Sequence, residues 1–74
     1  MATTNAPTWL GQRVRVARWS QFPWVPSFLD RTGEVIRLGT PGVFDDHVHV
    51  RFDRWPRERT APEKFLPIAW LEIA

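Results

Sequence analysis

Apolar and polar residues alternate at several places along the chain. Arg13-Val14-Arg15-Val16 has the two-residue period of a half-buried strand. Glu34-Val35-Ile36-Arg37-Leu38 reads as a second strand. The clearest pattern is His47-Val48-His49-Val50-Arg51-Phe52-Asp53. Side chains alternate across a strand, so Val48, Val50 and Phe52 face one way and His47, His49, Arg51 and Asp53 the other. The chain closes on Lys64-Phe65-Leu66-Pro67-Ile68-Ala69-Trp70-Leu71-Glu72-Ile73, which Pro67 interrupts. That spacing predicts a short strand at Phe65-Leu66, a 3₁₀ turn around Pro67 to Trp70, and a last strand at Leu71–Ile73.

The connecting segments are distinctive. Gly11 suits a turn before the first strand. Residues 19–29 carry no charge but hold Trp19, Phe22, Trp24 and Phe28, together with Pro23 and Pro26. The two prolines oppose a helix and a central strand, so this is an aromatic-rich irregular loop. Asp30-Arg31-Thr32-Gly33 reads as a turn and Gly39-Thr40-Pro41-Gly42 as a loop. Residues 55–63 form a charged, proline-containing loop. Residues 1–8 are small and polar and read as a disordered lead-in to a domain at 9–74. Five short strands parted by turns predict an all-β domain. Their spacing, with one 3₁₀ turn before the last strand, predicts a small five-stranded SH3-like barrel, whose closure hides the sheet edges.

Composition narrows the chemistry. At 74 residues the chain is one small domain with a marginal core. It has no Cys, which removes disulfides, thiolate nucleophiles and Cys-type metal centres. Five Trp and five Phe supply large buried areas instead. The net charge is only +2. The sequence pI of about 10.5 overstates this, because every basic residue but Lys64 is Arg and no Cys or Tyr titrates below it. No apolar run is long enough to span a membrane, and the first residues lack a secretory signal pattern. A cytoplasmic protein is therefore the expectation.

At this point the residues look familiar. Gly11-x-x-Val14-Arg15-x-x-Arg18, Gly33-x-Val35, Val48-x-Val50-Arg51-Phe52-Asp53, Phe65 and Leu71-Glu72 together resemble the SH3-like accessory subunits of ferredoxin-linked complexes. The photosystem I E subunit is similar around Val48 to Arg54. The variable chain of ferredoxin–thioredoxin reductase is similar at Pro26-x-Phe28 and Gly33-Glu34-Val35. The resemblance implies a non-enzymatic docking subunit, with Arg51 at the position of an exposed Arg that meets ferredoxin. Lys64 to Glu72 also resembles the C-terminus of type II dihydrofolate reductases, which are tetramers with one site at a central pore. The Gln and Tyr of that family's reactive segment are absent at Glu63 to Leu66, so turnover is not expected.

Each candidate has a functional and a plainer reading. His47 and His49 share one strand face and form a weak candidate metal pair, to which Asp45 or Asp53 would add a carboxylate; two exposed histidines is the favoured reading. Arg13, Arg15, Arg37 and Arg51 form either a basic patch or ordinary cross-strand pairs with Glu34, Asp53 or Glu72. The loop at 19–29 either caps its own barrel or offers interface anchors. No catalytic residue and no cofactor is assigned. The resulting expectation is a protein-interaction module that binds an acidic partner protein. Trp19, Phe22, Trp24, Phe28, Arg15, Arg18 and Arg51 are its contact residues. A homo-oligomeric pore-type reductase is the alternative, and a nucleic-acid-binding module the least favoured.

Overall fold

The computed structural model describes residues 9–20 and 27–74. Phe22 and Trp24, named above as contact residues, lie outside them. The elements are β1 (Arg13–Val16), β2 (Thr32–Leu38), β3 (His47–Phe52), β4 (Glu63–Pro67), a 3₁₀ turn (Ile68–Trp70) and β5 (Leu71–Ile73). All neighbouring strands are antiparallel, in the order β4-β3-β2-β1-β5. The protein is all-β, with the strand order of a small SH3-like barrel. No helix among the described residues is long and apolar enough to cross a membrane.

The alternation read along the strands decides which face is buried. Val14, Val16, Val35, Val48 and Val50 are fully buried, and Phe52 nearly so. Leu66 and Leu71 complete the ring of inward residues, so all five strands feed one core. Fully burying an aliphatic or aromatic side chain of this size contributes about 1.5–3 kcal/mol. These positions therefore supply most of the apolar stabilisation of a chain without cross-links.

Three boundaries differ from the sequence expectation. The second strand starts at Thr32, so Gly33 lies inside it and not in a turn. Gly33 is paired with Phe52. A Cβ there would sit 2.4 Å from the Arg51 carbonyl oxygen and 2.8 Å from the Phe52 Cα, so the two backbones leave room for glycine alone. The turn falls one step earlier, where Asp30 has φ of 70°; Asp is among the few L residues that tolerate that region. β4 is also longer than the two residues expected, because Glu63 and Lys64 pair with Arg51 and Val50.

The register slips between Val35 and Arg37, a bulge in β2. Beyond it, Arg37 pairs with His49, which pairs with Phe65. Before it, Glu34 pairs with Arg51, which pairs with Glu63. Two cross-strand rows of side chains thus stand on the outer face of β2, β3 and β4.

Candidate functional site

The described ends of the aromatic loop turn inward. Phe28 is 9% exposed and its ring centre lies 4.9 Å from that of Phe52 in the core. Trp19 is half-buried, with its ring 5.4 Å from Phe28 and 5.5 Å from Trp70. Backbone bonds lock this arrangement: the amides of Ala17 and Arg18 both donate to the Trp70 carbonyl, and that of Asp30 to Val16. Phe28 and Trp19 therefore cap one end of their own barrel. Phe28, named above as a contact residue, thus packs against the core and is only 9% exposed.

The strand arginines form pairs within the chain. Arg13 holds both carboxylate oxygens of Asp53. Arg15 meets Asp30 and, at 2.9 Å, Glu72. The Arg13 guanidinium and a hydrogen bond from Thr32 hold the Asp53 carboxyl below its usual range. Arg15 thus meets two carboxylates of its own chain, and of Arg13, Arg15 and Arg18 only Arg18 stands outside the ion pairs among the described residues. Arg51 is exposed and its Nε lies 3.5 Å from Glu63, a loose contact on a solvated face.

A different surface gathers the exposed rings. Phe65 projects outward from β4 because its neighbour Leu66 projects inward. Its ring centre lies 4.5 Å from His49, 5.0 Å from His47 and 5.2 Å from Phe44. Phe65 remains 38% exposed and Phe44 43%. His47 and His49 share a face, as their spacing requires, but Phe65 stands against both rings. The His47 Nδ1 is 2.8 Å from Asp46, whose carboxyl is held below its usual range by that hydrogen bond. Among the described residues no three His, Asp or Glu side chains converge as metal ligands. Arg37 stands in the same row as His49 and Phe65, without a carboxylate partner among the described residues. A cavity of about 410 Å³, lined by Trp9, Leu38, Pro41, His47 and Ile68 among others, opens beside this face.

Phe44, Phe65 and Arg37 were not among the contact residues read from the sequence. Phe65 had a usable signal: Leu66 must point into the core, so its neighbour must point out. Phe44 had none, since it joins the patch only through the fold of the loop before β3.

A second structured feature lies at the opposite end of β3. Arg31 is 7% exposed and donates to both carboxylate oxygens of Glu58, at 2.8 and 2.9 Å, and to the Asp53 carbonyl at 2.9 Å. The Arg31 guanidinium and a bond from the Trp55 amide pull the Glu58 carboxyl down to about 2. The same guanidinium lies 3.7 Å from the centre of the Trp55 ring. Comparison with protein families, with curated proteins and with solved structures finds no match for the chain.

Proposed function

We propose that this protein is a non-enzymatic interaction module that docks a partner protein on the outer face of β2, β3 and β4. The observation that carries this reading is Phe65. It is an exposed aromatic fixed among three other rings, in the same cross-strand row as Arg37, which has no carboxylate partner among the described residues. An aromatic held in place by its neighbours has little side-chain entropy left to lose on binding, which favours it as an anchor. Arg37 and Arg51 select for carboxylates. The partner is accordingly a protein that presents Asp or Glu beside apolar side chains. The resemblance to ferredoxin-linked subunits names a small acidic redox protein as one such partner. Arg51, the residue through which that resemblance speaks, stands on this face.

The test is selection of a displayed peptide library on the immobilised protein, with counter-selection on the Phe65→Ala variant. The expected winners combine acidic and apolar residues, lose binding to Phe65→Ala and bind Arg37→Glu more weakly. Winners that bind all three proteins alike would place the docking face elsewhere.

A further inference from the structure

The loop between β3 and β4 carries Arg54, Trp55, Pro56, Arg57, Glu58 and Arg59. The two acids of the loop do not neutralise these arginines, because Asp53 is held by Arg13 and Glu58 by Arg31. Arg54, Arg57 and Arg59 are exposed and have no carboxylate partner among the described residues. Three exposed arginines thus fall within six consecutive residues of one loop. The loop is also anchored. Arg31 reaches it from the buried side through Glu58 and the Asp53 carbonyl, and Arg54 donates to the Glu58 carbonyl.

Trp55 stands among these cations. Arg31 covers one face of its ring at 3.7 Å, yet the residue is 54% exposed. Much of the residue therefore stays open to solvent. An exposed aromatic with arginines on either side of it in one short loop matches two demands at once. A nucleobase stacks on an indole, and guanidinium groups bind phosphate oxygens two at a time. A peptide carboxylate would use the arginines and leave the ring idle.

We propose that this loop binds single-stranded nucleic acid, with one base stacked on Trp55 and the flanking phosphates held by Arg54, Arg57 and Arg59. Stacking on an aromatic is tolerant of base identity, so little sequence preference is expected. A duplex keeps its bases stacked inside and binds through charge alone.

The test is fluorescence anisotropy of a labelled oligothymidylate of about twelve nucleotides, titrated with the full chain at several salt concentrations. Binding is expected to weaken steeply as salt rises. Trp55→Leu, which keeps an apolar cover over Arg31, is expected to bind about tenfold more weakly. Trp55→Phe, with a smaller ring, should fall between. The double variant Arg57→Gln, Arg59→Gln should flatten the salt dependence by about 1.4 in logarithmic slope, since each phosphate contact on a single strand contributes about 0.7. Circular dichroism on each variant separates loss of the site from loss of the fold. No binding at low salt would overturn the proposal. So would equal affinity for polyglutamate with no effect of Trp55→Leu, which would make the loop a contact for acidic proteins.

Discussion

The Arg31 guanidinium lies 3.7 Å from the centre of the Trp55 ring and 5.0 Å from that of Phe28. It is the one buried charge among the described residues, and it joins the aromatic cap of the barrel to the loop between β3 and β4. Planar, delocalised and weakly hydrated, a guanidinium suits such a position better than an ammonium. Lys in place of Arg31 would lose the bidentate hold on Glu58 and the stacked contact together.

That hold makes stability depend on acid. The folded Glu58 carboxyl titrates at about 2 against an ordinary value of 4.5. A group whose pKa is lowered by folding stabilises the fold above its unfolded value, and the contribution is lost as pH falls through the folded one. Thermal melts from pH 4.5 down to about 2 should show falling stability. Glu58→Gln should be less stable at neutral pH and show a flatter decline over that window. Equal slopes for both proteins would mean that Arg31 does not hold Glu58 in solution.

Phe28 and Phe65 should respond in opposite ways to truncation. Phe28→Ala removes a core aromatic and should cost about 3–5 kcal/mol in urea unfolding. Phe65→Ala removes edge and tilted ring contacts from a solvated face and should cost about 1 kcal/mol or less. A large loss at Phe65 would make the ring cluster part of the core and leave it unavailable for docking.

Gly33→Ala should destabilise although it adds a single methyl. Its Cβ would meet the Arg51 carbonyl oxygen at 2.4 Å, so β2 and β3 must separate. Overpacking of this kind costs about 1–3 kcal/mol. Chemical unfolding of the variant checks it.

These positions also show how far the chain could be read without its structure. β3 was legible because its period of two runs unbroken from His47 to Phe52 and each inward residue is apolar. The short last strand was legible because Pro67 separates it from β4. Gly33 was misread as a turn residue because its constraint comes from β3: it pairs with Phe52, 19 residues downstream, and lies against the Arg51 carbonyl, 18 residues away. The direction of the uncharged loop could not be read either. Phe28 buries itself against Phe52, and an uncharged aromatic sequence is the same whether it packs inward or waits for a partner. Arg31 was hidden for a related reason: Asp30-Arg31-Thr32-Gly33 has the composition of a solvated turn, and the acid that lets Arg31 be buried is 27 residues away.

The most direct measurement is a map of backbone amide shifts on the isotope-labelled protein as a selected acidic, apolar peptide is titrated in. The changes are expected to centre on Arg37, His47, His49 and Phe65 and to fade toward β1 and β5. Changes centred on Trp19 and Trp70, with the outer face of β3 and β4 unmoved, would contradict it.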